Sequence, residues 1–213
     1  IDTGMGLERL TAVLQGKMSD YDTDLFAPLI AHVASLSGKT YHARDEDDVS
    51  MQVIADHARA ATFLITDGVT PSNEWRGYVL RKIMRRAMRH GKRLGFTEPF
   101  LRGLASELVD FMGDAYPELR AGRETVVQVI RAEEHRFESV LTNGLPKLEE
   151  ILERAAHSGS AISGDDAFRL YDTLGLPLDF IEDLASERKL AFDRQGFDRA
   201  MEAQRVKARA SSA

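Results

Sequence analysis

The residues best suited to chemistry crowd into one run. Between Arg76 and Arg93 stand eight Lys or Arg and no Asp or Glu. The whole chain carries 28 basic and 34 acidic residues, so 20 basic face 34 acidic outside that run. Positive charge gathered on one element of an acidic chain points to a polyanion partner. Cations of this kind neutralise phosphates; they supply affinity and salt dependence but little sequence information. Reading a sequence needs a polar group at the edge of the run. Asn73 stands there, and its amide offers both a donor and an acceptor, as a base edge requires. The plainer alternative is a solvated basic face that bridges to acidic residues elsewhere.

Other constellations are weaker. Gly4 and Gly6, two apart in Asp2-Thr3-Gly4-Met5-Gly6-Leu7-Glu8-Arg9, permit a close backbone approach, but a Gly-x-Gly pair alone fits a common structural turn. The carboxylates of Ser19-Asp20-Tyr21-Asp22-Thr23-Asp24 suit helix capping better than a metal site. Asp56 and His57 are adjacent on a helix and diverge by about 100°, so an interhelix hydrogen bond or salt bridge is expected rather than an acid–base pair. Arg59 would reach either RNA or an acidic neighbour. Glu133, Glu134 and His135 also diverge, and a solvated face is expected there. On its own, Asp172 reads as a local cap. There is no cysteine, which excludes disulfides and Cys-based zinc sites. No metal site is expected in this chain.

Helices must position these groups. The 213 residues, 43% of them hydrophobic, make one large domain or two small ones with a real core. No apolar run approaches the ~20 residues of a membrane span and no signal peptide is visible, so a cytoplasmic protein without membrane contact is expected. Leu7, Leu10, Val13 and Leu14 recur at helical spacing after the glycines. Leu25, Phe26, Leu29, Ile30 and Val33 mark a helix ending near Gly38. His42 to Asp48 reads as a charged surface loop, and a helix runs from Ser50 to about Thr66. The basic run predicts a helix capped by Ser72 or Asn73, ending near His90 with Gly91 as its C-cap. Its apolar stripe docks on the core. Arg81, Arg85, Arg89 and Lys92 then form one row of presented cations, and Lys82, Arg86 and Arg93 another. Thr97-Glu98-Pro99 starts a further helix, and another begins near Pro117. Asn143-Gly144-Leu145-Pro146 predicts a kink or break. Ser163 to Asp166 caps a short helix that Gly175 stops. Leu178 to Leu190 and Phe197 to Arg209 form the last helices.

Two longer strings are more specific. DTGMGLER, from Asp2 to Arg9, resembles motif 3 of class II aminoacyl-tRNA synthetases in the alanyl-tRNA synthetase version. The resemblance implies that Arg9 binds the ATP phosphates, that Gly4 and Gly6 let the backbone approach adenine, and that Asp2 contacts the alanine ammonium. The strings from Val53 to His57, from Asp67 to Val69, from Pro71 to Glu74, and from Arg76 through Arg85-Arg86 are similar to that family's tRNA-recognition region. The resemblance implies that Asn73 reads a G·U pair at the third position of the acceptor stem. It also implies that Arg76, Arg81, Lys82, Arg85, Arg86 and Arg89 hold the RNA backbone. Ala167-Phe168-Arg169-Leu170-Tyr171-Asp172-Thr173 with Gly175-Leu176-Pro177 is similar to a second recognition signature. There Asp172 becomes the second base reader. Leu174 and Leu176 depart from its usual aromatics but stay apolar. Trp75 falls on a variable position and receives no role. The wide minor groove of duplex RNA exposes the guanine 2-amino donor of a G·U pair, which an Asn or Asp oxygen accepts.

The expected fold is mainly α: a multi-helix tRNA-recognition region after a short strand or turn and helix left from a class II catalytic domain. The expected divisions are 1–27, 28–156 and 157–213. Because the chain begins within a motif, it reads as a fragment of an alanine–tRNA ligase. The full enzyme would use ATP, Mg2+, alanine and the acceptor stem of tRNA(Ala), with zinc only in an editing domain beyond this chain. The fragment alone is expected to form no adenylate, tested by alanine-dependent pyrophosphate exchange. The alternatives are a stand-alone helical RNA-binding module and a protein-interaction module without catalysis.

Overall fold

The computed structural model describes residues 4–72 and 74–211. Asp2 and Asn73, both singled out above, lie outside the described residues. The fold is helical, as expected. Among the described residues the β pairing is one isolated parallel bridge, Ile162 to Phe192. The chain forms two compact units, Ile1–Arg136 and Phe137–Ala213. That division falls elsewhere than the boundaries expected after residues 27 and 156.

In the first unit Gly4 to Gly6 run irregularly into α1 (Leu7–Leu14). A 3-10 turn over Asp20–Asp22 follows, and Ser19 accepts the Tyr21 N–H, so these carboxylates belong to a turn as expected. Helix α2 (Ala27–Ser37) ends on Gly38 in the left-handed conformation. Helix α3 spans Asp45–Thr66 and so absorbs the acidic stretch expected to be a loop. Asp45, Glu46, Asp47 and Asp48 form its first turn. Four carboxylates there face the positive end of the helix dipole, which draws the helix start back from Ser50.

Helix α4 (Trp75–Leu94) pairs antiparallel with α3. Ser50, near the start of α3, meets His90, near the end of α4, at 3.0 Å. Ile54, Ala58 and Ala61 of α3 and Leu80, Met84 and Ala87 of α4 are all fully buried. The caps of α4 differ from those expected. Its N-cap is Glu74, with no side-chain capping bond. Ser72 instead folds the preceding turn: its hydroxyl donates to the Glu74 carbonyl at 2.8 Å and accepts the Glu74 N–H at 3.3 Å. The C-cap is Gly95, at φ 96°. Gly91 lies inside the helix, where the bare glycine makes room for Phe100; a Cβ would stand 2.2 Å from that ring. Helix α5 starts at Leu101, just beyond Thr97-Glu98-Pro99. Helix α6 runs over Pro117–Ser139.

In the second unit the expected break at Asn143 to Pro146 is a single π-helical turn, Val140–Gly144, leading into α7 (Leu145–Ser158). Pro146 sits in the first turn of α7, directly after the π-helical turn. Gly144 allows Leu176 to pack against it; a Cβ there would lie 2.3 Å from Leu176. Helix α8 (Gly164–Leu174) is capped by Ser163, which accepts the Asp166 N–H at 3.1 Å, and closes on left-handed Gly175. Helices α9 (Leu178–Glu187) and α10 (Arg194–Ser211) follow. Gly164 meets the backbone of Gly196 and Phe197, where a Cβ would sit 2.1 Å from the Phe197 nitrogen. The bare glycine thus lets the first turns of α8 and α10 touch.

Candidate nucleic-acid interface

Helix α4 sorts its cations by face. Arg76, Arg86 and Arg93 are exposed, and Lys82 is half-buried. The other row turns inward, contrary to the expectation that both rows face solvent. Arg89 is 1% exposed and sits beside His90, 3.3 Å between Nη2 and Nε2. Arg85 donates to Glu133 at 2.8 Å, and Arg81 lies 3.4 Å from the same carboxylate oxygen. The cause is on α6. Glu133 is 0% exposed, so Glu133 is a buried anion rather than part of the expected solvated face. A buried carboxylate requires a partner, and the Arg81–Arg85 side of α4 supplies it. Glu134 is buried too. It accepts the Leu101 N–H at 2.8 Å and pairs with Arg102 at 2.9 Å, closing the start of α5. His135 remains exposed.

The turn before α4 is held from below. Arg81 donates to the Pro71 carbonyl at 3.4 Å. Gly77 lets the turn lie directly on α4: a Cβ would come within 2.3 Å of both the Ser72 hydroxyl and the Thr70 carbonyl. The turn borders a depression of ≈ 450 Å³ reaching from Gly68 to Gly77. Trp75 stands at its rim, 88% exposed, with φ 53°.

On α1, Arg9 and both glycines, Gly4 and Gly6, are exposed. Gly4 has nothing within 4 Å of where a Cβ would be. Glu8 takes the Arg59 guanidinium at 2.5 Å, and that guanidinium also lies 4.3 Å over the Phe26 ring. Arg59 therefore serves the acidic neighbour. Glu8 is held below the usual carboxylate range, first by a backbone hydrogen bond and then by Arg59. Asp56 and His57 do meet, with Nδ1 to Oδ2 at 2.9 Å. The short Asp side chain reaches sideways round the helix to the near ring nitrogen, which the simple angular argument missed. His57 accordingly draws the Asp56 carboxyl below its usual range.

In the second unit Asp172 is exposed on α8, and Gln204 of α10 donates to it. The same helix borders a depression of ≈ 580 Å³ with Lys147, Arg154 and Arg169 on its walls. Among the described residues no group of His, Asp or Glu is arranged to hold a metal ion. Nor is any helix long and apolar enough to cross a membrane. Sequence reasoning missed Glu133 and Glu134 as organisers of this region. Their signal was an unrelieved pair of acids within a helical apolar pattern, opposite an unrelieved run of cations.

Comparison with known proteins gives the family. The alanine–tRNA ligase of Nitratidesulfovibrio vulgaris (strain Hildenborough) is 50% identical over 212 residues, covering 99% of this chain and 24% of the relative. That of Anaeromyxobacter dehalogenans (strain 2CP-C) is 52% identical over 222 residues, covering 97% of this chain and 24% of the relative. That of Chlorobium phaeobacteroides (strain DSM 266) is 49% identical, covering 98% of this chain and again 24% of the relative. The chain thus spans about a quarter of the length of these curated relatives. The model of the family tRNA synthetases class II (A) matches residues 1–213, and the chain belongs to that family.

Proposed function

We propose that this chain is the part of an alanine–tRNA ligase that joins the end of the catalytic domain to acceptor-stem recognition. The observation that carries the reading is identity near one half over nearly the whole chain with proteins named alanine–tRNA ligase. The whole protein would activate alanine with ATP, Mg2+ offsetting phosphate charge, and transfer it to tRNA in the cytoplasm. Within that activity Arg9 offers a guanidinium to the ATP phosphates, and Asp2 a carboxylate to the alanine ammonium. Gly4 and Gly6 leave room for adenine against the backbone.

In this reading Asn73 and Asp172 read the G·U pair, accepting from the guanine 2-amino group in the minor groove. The exposed cations Arg76, Lys82 and Arg86 carry the phosphate contacts. Arg81 and Arg85 support them from within by fixing the helix against Glu133 of α6, and Arg89 is buried beside His90 on the same helix.

Titration of the chain with acceptor-stem minihelices tests this. A G·U third pair is expected to bind more tightly than G·C. Asn73→Ala and Asp172→Ala are each expected to remove the preference, at a cost of about 1–3 kcal/mol. Equal binding of both RNAs would sink the base-reading assignment. Binding to neither would favour a protein-interaction module.

A further inference from the structure

Helices α7 and α8 build a basic surface of their own in the second unit. Lys147, Ile151 and Arg154 recur at intervals of four and three residues on α7, so they share one face. Arg169, Leu170 and Thr173 of α8 border the same depression of ≈ 580 Å³. Ile151 and Leu170 are buried and give it an apolar floor, while Lys147, Arg154 and Arg169 are exposed above them. Among the described residues the lining sets one carboxylate, Asp166, against these three cations. The fold holds the cations loosely. Arg154 stands 3.9 Å from Asp166, beyond hydrogen-bond reach. Lys147 pairs with Glu150 along its own helix, where both side chains are more than half exposed. Exposed pairs of this kind are weak and exchange readily for another anion. Arg169 makes no ion pair among the described residues. Like charges gathered over one depression repel each other, and an anion laid across them relieves that repulsion.

The neighbourhood names the anion. Asp172 follows Arg169 by three residues on α8 and adjoins Thr173, so the cations and the exposed carboxylate lie side by side. A small anion drawn to the depression would only be repelled by that carboxylate. A nucleic-acid strand satisfies both, offering phosphates to the cations and a base-edge donor to the carboxylate. Lys147 and Arg154 stand about two helical turns apart, roughly 10.5 Å along the axis, which suits a length of backbone better than one isolated phosphate. Resting on the acceptor-stem reading above, we infer that Lys147, Arg154 and Arg169 form a second phosphate-binding surface. It holds the RNA backbone beside the pair that Asp172 reads. Phosphates are alike in G·U and G·C stems, so this surface adds affinity and salt dependence without choosing between them.

Titration with both minihelices over a series of salt concentrations tests the inference. Lys147→Gln, Arg154→Gln and Arg169→Gln are each expected to weaken the G·U and G·C stems by the same factor, about two- to fivefold at low salt. Each should also lower the slope of log affinity against log salt by about one. Arg169→Lys should keep most of the parental slope, because a phosphate contact needs the charge. Parental affinity and slope in all three glutamine variants, with the parent preferring G·U, overturn the inference and leave the acceptor-stem reading standing. Loss of the G·U preference in the variants overturns it too, since the residues would then position Asp172 rather than hold phosphates. If the parent binds both stems equally, base reading falls while the slopes still decide the phosphate surface. If it binds neither stem, both readings fall.

Discussion

Arg85 and Arg86 are neighbours in sequence, yet they do different work. Arg85 completes the charge of buried Glu133, whereas Arg86 faces solvent. Arg86→Ala should weaken G·U and G·C minihelices alike and flatten the salt dependence of binding. Arg85→Ala should destabilise the fold by about 1–3 kcal/mol, because part of a buried carboxylate then lacks its donor. Urea denaturation separates the two outcomes. Asp172 has a resident partner in Gln204, which any RNA donor must share or displace. Gln204→Leu should therefore tighten G·U minihelix binding roughly two- to tenfold, in line with about 0.5–1.5 kcal/mol for one competing hydrogen bond. Unchanged affinity would show that Asp172 is not the acceptor.

At the scale of elements, apolar periodicity and glycine placement located most helices. Gly38, Ser163 and Gly175 cap the helices they were expected to cap. The ends of α4 were less legible. Gly91 and Gly95 lie one turn apart; Gly95 takes the left-handed cap, while Gly91 makes room for Phe100, a contact no local pattern reveals. The inward face of α4 was hidden for a similar reason: its anion, Glu133, is supplied by α6, far along the chain. Spacing tells which residues share a face but not which face is buried when both carry charge. Gly77 shows how tightly the turn before α4 is tied to its helix. Gly77→Ala would drive a methyl group into the Thr70 carbonyl, and backbone cannot yield as a side chain does. It should cost about 1–3 kcal/mol of stability as overpacking, read from the denaturation midpoint, and weaken minihelix binding beyond that of a surface alanine variant.

For the whole molecule, charge is organised by linkage as well as by location. Glu8 and Asp56 both titrate below their ordinary values of 4.5 and 3.8. Depressed carboxyls bind fewer protons in the folded chain than in the unfolded one. Their stabilisation is therefore complete above those ordinary values and fades as pH falls through the lower, folded-state ones. Thermal midpoints should drop as pH is lowered through that acid range, and Glu8→Gln with Asp56→Asn should flatten the drop; an unaltered profile would refute it. The family was legible in DTGMGLER and in the Pro71 to Arg86 strings, whose residue types, order and spacing are specific. The internal ion pairs carry no such signature, since many pairings would satisfy a buried charge.

The meeting of Gly164 with Gly196 and Phe197 has a consequence for heredity. Gly164 lies two turns before Asp172 on α8, and α10, which it touches, carries Gln204. Any other residue at Gly164 would prise these helices apart and shift the carboxylate without altering it. On the proposed reading, a genetic screen for lost RNA recognition should therefore return alleles at this hidden glycine beside alleles at Asp172. Temperature sensitivity would distinguish the two classes, the glycine alleles failing first as growth is warmed.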